Sequence, residues 1–141
     1  MQILQIQPRQ NIISIDNWQE YRRDGEQFLN TATRAFQQGN SRFTPEILFN
    51  LVAMAIEKLV MAFLMRRGDL AENHTMGDLF HALERHVGQH PELAEKFAYL
   101  DSFQEICDLD TYRRQAPTQE ETAVIVAIGE DVRRLLAPHL T

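Results

Sequence analysis

The chain has 141 residues, of which 44% are hydrophobic and 24% are charged, with a formal net charge of -6 at pH 7. These proportions are typical of one folded globular domain and exclude a chain that is disordered throughout. The acidic balance excludes a broad basic surface that would coat nucleic acid without specificity. No apolar run approaches the ~20 residues of a membrane-spanning helix, so we expect a cytoplasmic protein.

Residues 1–13 include Pro8 and show neither helical periodicity nor alternation, so we interpret them as an N-terminal arm. From Ser14 to Gly39, apolar residues recur every three or four positions. This spacing predicts a first helix with Ser14 as its N-cap and Gly39 as its stop. A single domain is then expected over residues 14–141.

A second helix is predicted from Pro45, with Thr44 as its cap, to about Gly68. Apolar residues cover so much of its surface that we expect the central helix of a bundle. Its apolar face is predicted to include Ile47, Leu48, Leu51, Val52, Met54, Ala55, Leu59, Met61, Ala62, Phe63 and Met65.

Three more helices follow in the sequence. Thr75 is expected to cap the third, Pro91 begins the fourth, and Thr118 with Glu121 forms a capping box at the last. Because strand alternation is missing, the sequence predicts an all-α, antiparallel, up-and-down bundle of four to five helices. The side chains expected to be buried together are Leu51, Leu59, Phe63, Phe97, Leu100, Val124 and Ile128. The inner face of the last helix is expected to be Val124, Ile128, Val132 and Leu135.

Nearly all the basic residues are arginine, the only lysines being Lys58 and Lys96. Several arginines come as adjacent pairs: Arg22-Arg23, Arg66-Arg67, Arg113-Arg114 and Arg133-Arg134. The planar guanidinium binds phosphate and carboxylate through two parallel hydrogen bonds. The alternative is that these pairs straddle the edges of helical faces, with their charged groups in water.

Several short motifs follow one another in a fixed order. The second helix carries AIEKLVMAFL followed by RRG, an NHT loop leads into DLFHAL, and DTYRRQAP precedes the last helix. In this order the chain resembles the HEPN domain family, of the nucleotidyltransferase-associated and toxin–antitoxin type, over about residues 44–136. Met61 departs from the family pattern, in which a second lysine is frequent, and Arg114 stands where an aromatic residue is frequent.

The resemblance implies a HEPN-type bundle that binds a nucleotide or RNA without a cofactor. It also implies a homodimer that acts with a separate small nucleotidyltransferase chain in a toxin–antitoxin-like system. A dimer is further favoured by the apolar surface of the second helix and of the segment around Phe97, Tyr99 and Phe103. The nucleotide-binding residues that the resemblance implies are Lys58, His74, Tyr112 and Arg113, and we add Arg114, whose guanidinium partly replaces the cation missing at Met61.

Each candidate has a chemical reason and an alternative role. Lys58 lies in a mostly apolar stretch, so its ammonium needs a ligand phosphate, a carboxylate such as Asp110, or a path to solvent. His74 precedes the third helix, whose first N–H groups favour an anion, although it could simply cap or pack the loop. Tyr112 and Arg113 suit base stacking and phosphate binding, or a packed tyrosine beside a solvated arginine.

Some HEPN proteins are metal-independent ribonucleases that use an arginine and a histidine separated by four to six residues. The pairs with this spacing are Arg67 with His74, Arg85 with His90, and Arg134 with His139. The spacing arises readily by chance, and the residues around each pair do not suit the motif. We therefore expect slow RNA cleavage or none. The alternatives are a structural or dimerisation adaptor with a degenerate site, and a ribonuclease.

A metal site was considered for His74, Asp78 and His81, whose spacing could place them on one helical face. No cysteine ligand supports this set, and such spacing is common by chance. We expect no metal site.

Overall fold

The computed structural model describes residues 17–104 and 116–141. These residues form a bundle of α-helices, which confirms the predicted all-α fold. The helices are α1 Trp18–Gln38, α2 Pro45–Arg66, α3 Met76–Val87, α4 Pro91–Gln104 and α5 Gln119–Leu136, and a short 3-10 helix, Ala137–His139, follows α5. The predicted arm and the Ser14 cap lie outside the described residues.

Local sequence signals set several helix ends. Thr44 accepts a hydrogen bond from a first-turn N–H of α2 at 3.2 Å, and Pro45 occupies the first helical position. At α5 the capping box is reciprocal: the Thr118 N–H donates to Glu121 Oε1 at 2.9 Å, and the Glu121 N–H donates to Thr118 Oγ1 at 3.1 Å. Gly39 ends α1 with a φ of 63°, in the left-handed region that favours glycine. These predicted boundaries are confirmed.

Helix α2 is central, because it packs against α1, α3 and α5. Its length and composition alone would allow it to cross a membrane, which the sequence analysis did not anticipate. However, 67% of its most apolar stretch is buried inside the described structure. The apolar surface of α2 therefore serves the core of the bundle.

Two glycines allow the helices around α2 to approach closely. A Cβ atom on Gly25 of α1 would lie 2.8 Å from Cγ of Leu59. One on Gly129 of α5 would lie 2.8 Å from Cδ1 of Leu29 and 3.0 Å from Cγ1 of Val52. Because these distances are shorter than ordinary van der Waals contacts, the packing of α1, α2 and α5 requires glycine, which has no side chain, at both positions.

Most of the predicted core is confirmed; the buried members are Leu59, Phe63, Phe97, Leu100 and Ile128. The prediction for Val124 is wrong, because this side chain is 47% exposed. The close contact at Gly129 turns a different face of α5 inward, so Ile125 is buried in its place. By the same rotation, Leu136 is buried while Leu135 is only partly buried.

Part of the predicted apolar face of α2 is exposed. Ile47 is 42% exposed and Met54 is 41% exposed, and Leu51 between them is only partly buried. Because positions i, i+4 and i+7 share one side of a helix, these three residues form an apolar stripe on α2. The aromatic segment of α4 contributes little exposed surface, since Phe97 and Phe103 are buried. The apolar surface available for association therefore lies mainly on α2.

Candidate functional site

Two of the five predicted site residues lie in the described part of the chain. Lys58 is in the second half of α2, and His74 is in the loop between α2 and α3. Tyr112, Arg113 and Arg114 fall outside the described residues. The geometry is therefore built from Lys58, His74 and their neighbours.

Lys58 rests on an aromatic ring. Its Nζ atom lies 4.5 Å from the ring centroid of Tyr21 in α1, and the lysine is half-buried between the two helices. The negative face of the ring stabilises the ammonium electrostatically. Sequence reasoning sought a phosphate or carboxylate as partner and missed Tyr21, while Asp110 lies outside the described residues.

His74 is held by a contact with α2. Its Nδ1 atom contacts Oε2 of Glu57, and the imidazole remains 51% exposed. Glu57 directly precedes Lys58 in the helix, but neighbouring helix positions point to different sides, so the two predicted residues contact different partners: His74 contacts Glu57 and Lys58 lies on Tyr21. Sequence reasoning had treated Glu57 only as a neighbour of Lys58 and gave it no part in the site.

The anion site expected at the start of α3 is already filled by the protein. The N–H groups of Met76 and Gly77 donate to the carboxylate of Asp101 at 3.0 and 2.8 Å. The next N–H group, that of Asp78, donates to Thr75 Oγ1 at 3.1 Å. A ligand phosphate would have to displace Asp101 to bind here. The α3 terminus therefore gives His74 no free helix end for an anion.

Two arginines at the end of α2 repeat the arrangement of Lys58. The Arg66 Cζ atom lies 5.1 Å from the Trp18 ring centroid, and the Arg67 Cζ atom lies 4.5 Å from that of Phe63. We refer to the three pairs as the cation–ring row: Lys58 on Tyr21, Arg66 on Trp18, and Arg67 on Phe63.

The sequence carried a signal for this row that was not used. Trp18 and Tyr21 are three residues apart, so they share one side of α1. From the sequence, Arg66 and Arg67 were expected either to bind phosphate or carboxylate or to keep their charged groups in water, and no aromatic partner was expected. Both remain exposed, but the stacking on aromatic rings restricts their orientation.

The structure does not join Arg67 to His74 or Arg134 to His139. Instead, Nη2 of Arg67 lies 3.1 Å from Nδ1 of His139. A guanidinium can only donate, so Nδ1 of His139 accepts this bond, and the neutral imidazole carries its proton on Nε2. The contact links members of two different predicted pairs.

The other predicted partners are also engaged elsewhere. Arg85 Nη2 donates to Oδ2 of Asp69 at 2.8 Å, and Arg134 Nη1 donates to Oδ1 of Asp131 at 2.8 Å. The Nδ1 atom of His90 accepts a long hydrogen bond from a backbone N–H in the first turn of α4, at 3.4 Å. The arginine–histidine spacing in the sequence therefore does not correspond to paired side chains.

Asp69 collects several donors after the end of α2. His86 Nε2 lies 2.9 Å from the same Oδ2 atom that Arg85 contacts, and the Leu70 N–H donates to Oδ1 at 2.8 Å. Burial acts to raise the pKa of the Asp69 carboxyl group, but the hydrogen bonds from Arg85, His86 and Leu70 lower this pKa below its ordinary value. Asp69 is thus held ionised.

A cleft of about 440 Å³ adjoins this cluster. Its polar lining includes the carboxylates of Asp69, Glu72 and Asp78 together with His81 and Arg85. Acidic residues outnumber basic ones here, so the cleft is poorly suited to a phosphate. The cation–ring row, by contrast, consists of cationic and aromatic side chains.

The three residues considered as metal ligands have separate contacts. His74 pairs with Glu57, Asp78 accepts a hydrogen bond from Thr75 at 2.8 Å, and His81 lies beside Phe80. Among residues 17–104 and 116–141, no three His, Cys, Asp or Glu side chains form a group that could hold a metal ion.

Comparison with known proteins gives one match. The profile of the family described as HEPN domain matches residues 18–138. No curated protein and no solved structure matches the chain. The match spans all five described helices.

Proposed function

Since the chain belongs to the HEPN domain family, whose members are nucleotide- and RNA-related helical modules, we propose that it binds single-stranded RNA or a nucleotide along the cation–ring row. The observation that carries this proposal is the repetition of one arrangement. Two cations of α2 and the arginine that follows it each lie over an aromatic ring, at 4.5, 5.1 and 4.5 Å. They place three basic side chains in the row, on a chain of net charge -6.

This arrangement suits single-stranded nucleic acid for two reasons. Proteins that bind single strands combine basic grooves, which follow the phosphates, with aromatic rings on which bases stack. The cations are also oriented before the ligand arrives, because each is restrained by a ring, and binding therefore orders fewer side chains. Arg66 and Arg67 supply planar donors for phosphate, whereas Lys58 supplies a point charge.

The remaining predicted residues would extend the same site. His74 remains a proposed contact beside the row, on the loop that contacts Glu57 of α2. Tyr112, Arg113 and Arg114 remain proposed contacts, with one ring for stacking and two guanidinium groups for phosphate.

Binding without efficient cleavage is the expected behaviour. Metal-independent cleavage needs a histidine that can move a proton beside an arginine that stabilises phosphate charge. In the described residues, His74 contacts Glu57 rather than Arg67, and the Nδ1 lone pair of His139 is already occupied by the Arg67 hydrogen bond and so does not take a proton. Mixing the protein with RNA should therefore give stable complexes, and gel analysis should reveal little or no shortening of the RNA.

The two lysines of the chain provide a matched test of the proposal. Lys58→Met removes the first cation of the row, while Lys96→Met removes a lysine that pairs with Asp131 at 2.9 Å. Fluorescence anisotropy with a short labelled oligouridylate should give weaker binding for Lys58→Met only. The slope of log affinity against log salt should fall by about 0.7, the value for one phosphate contact on a single strand. Equal affinities for wild type and Lys58→Met would reject the row as the site.

Arg113→Ala tests the part of the site that lies outside the described residues. Loss of a charge-assisted hydrogen bond of ~1.5–3 kcal/mol should weaken nucleotide binding by about tenfold or more. The free energy of unfolding should change little. Calorimetry with adenosine nucleotides and the same RNA measures both ligand classes, and unchanged affinity would remove Arg113 from the site.

A dimerisation adaptor is the second candidate function, favoured by the exposed stripe of Ile47, Leu51 and Met54. A twofold dimer would cover such a stripe with its own copy. We include in the proposal a homodimer that works with a separate nucleotidyltransferase chain in a toxin–antitoxin-like pair. Co-purification of this chain with the nucleotidyltransferase chain from one cell tests the partnership.

A further inference from the structure

The residues after α5 fold back onto the end of α2. The 3-10 helix Ala137–His139 is followed by Leu140, which is only 3% exposed, and by Thr141. The Leu140 N–H donates to the carbonyl oxygen of Ala137 at 3.1 Å, which closes this turn. We call residues 139–141 the strap. Its buried leucine fixes the strap against the core of the bundle.

The strap occupies both arginines at the end of the cation–ring row. Arg66 donates from Nη1 to the His139 carbonyl oxygen at 3.1 Å and from Nη2 to the main-chain oxygen of Thr141 at 3.0 Å. Arg67 donates from Nη2 to Nδ1 of His139 at 3.1 Å. The forked side of the Arg66 guanidinium is therefore directed at the strap.

We propose that the strap competes with the anionic ligand for Arg66 and Arg67 and so regulates the nucleic-acid site. This inference rests on the proposed function, because it concerns access to the same cation–ring row. With the strap closed, Lys58 lies on Tyr21, and in the described structure it contacts no strap residue. A ligand would engage Lys58 first and gain both arginines when the strap lifts.

Competition follows from the geometry of the guanidinium group. Two phosphate oxygens bind an arginine through the same pair of Nη donors that the two main-chain oxygens of the strap now occupy. A donor N–H that points at one oxygen bonds a second oxygen only weakly. Phosphate carries negative charge whereas the His139 carbonyl does not, so an arriving phosphate forms the stronger bond with the donor that His139 now occupies.

The burial of Leu140 sets how often the strap opens. Lifting the strap exposes this leucine to water, so the closed state is favoured in the free protein. When only a fraction of the molecules is open, the apparent affinity for a ligand that needs the open state is reduced by that fraction. A change that weakens the anchor should therefore strengthen ligand binding, which is the opposite of an ordinary damaging substitution.

The test compares two leucines that are buried to the same extent. Leu140→Ser weakens the strap anchor, and Leu93→Ser makes the same change in α4, where Leu93 is also 3% exposed. Anisotropy with labelled oligouridylate should give about threefold to tenfold tighter binding for Leu140→Ser than for wild type. Leu93→Ser should bind as wild type does. His139→Ala, which removes the ring contacts to Arg67 and Phe63 and keeps Leu140, should give a smaller increase and keeps the test usable if Leu140→Ser does not fold.

A second readout follows the strap itself. Hydrogen exchange of the Leu140 amide, now bonded to Ala137, should become faster when wild type is saturated with the RNA. Wild-type binding with unchanged or weaker binding by Leu140→Ser and His139→Ala would overturn the strap proposal alone. Failure of wild type and all variants to bind RNA or nucleotide would overturn the proposed function and the strap with it. Binding by the strap variants but not by wild type would support both the proposed function and the strap proposal.

Discussion

The guanidinium of Arg67 and the imidazole of His139 are 72 positions apart in the chain, yet their nearest nitrogen atoms lie 3.1 Å apart. The contact joins the end of α2 to the residues that follow α5. It also involves one residue from each of two different pairs that sequence spacing had suggested. Tertiary packing, rather than local spacing, therefore determines which basic side chains share a surface.

Leu59→Ala should destabilise the protein strongly. Leu59 is fully buried in α2 and faces Gly25 of α1. Removing most of its side chain leaves a cavity at the closest helix contact, so the free energy of unfolding should fall by ~2–5 kcal/mol. The matched variant Val124→Ala, at a 47% exposed position, should change it by no more than about 0.5 kcal/mol. Urea denaturation measures the free energy of unfolding of both variants. A loss for Leu59→Ala as small as that for Val124→Ala would contradict the central position of α2.

Asp101→Ala should destabilise α3 and create an anion site at its start. The carboxylate now accepts from the N–H groups of Met76 and Gly77. Its removal should cost about 1 kcal/mol, as for a lost N-terminal cap. Inorganic phosphate should then raise the melting temperature of the variant more than that of wild type, because free helix N–H groups attract anions. An equal rise in melting temperature with phosphate in both proteins would argue against the occupation of the α3 N-terminus by Asp101.

Asp69 should contribute to stability in a pH-dependent way. Its pKa lies below the ordinary value of 3.8. The ionised carboxylate therefore stabilises the folded state above that value, and this contribution is lost as the pH falls through the lowered pKa. Asp69→Asn should be less stable at neutral pH and lose less stability on acidification. Arg85→Gln, which removes one donor at 2.8 Å, should likewise be less stable at neutral pH and lose less stability on acidification. Denaturation over a pH series would contradict the account if all three proteins had parallel profiles.

The exposed stripe on α2 should mediate self-association. Light scattering of wild type at micromolar concentration should give twice the 16.4 kDa chain mass. Met54→Glu places a charge within the stripe and should return the mass to that of one chain. Gln37→Glu, at an exposed position of α1, should leave it unchanged. A wild-type mass of one chain would remove the homodimer from the proposal.

The features that could be predicted from the sequence are those that nearby residues determine. Thr118 and Glu121 cap α5 through bonds within one helical turn, and Thr44 caps α2 in the same way. Gly39 ends α1 because its positive φ suits a residue without a side chain. Such signals need no knowledge of the partner helices.

The features that could not be predicted depend on residues far apart in the chain. Val124 was assigned to the core by periodicity alone, but the contact between Gly129 and Val52 rotates α5 by about one residue. Asp101 fills the start of α3 from the neighbouring helix α4, 24 residues from Gly77. Periodicity gives the width of an apolar face more reliably than its exact centre, because the centre is set by packing.

The most direct test of the central claim uses Trp18, the only tryptophan in the chain. This ring lies under Arg66 in the cation–ring row, so a base that stacks there should quench its fluorescence. Titration with unlabelled oligouridylate should give saturable quenching in wild type, at the same RNA concentrations as anisotropy, and a weaker curve in Lys58→Met. Anisotropy that reports saturated binding while Trp18 emission stays constant would contradict the claim that the row holds the ligand.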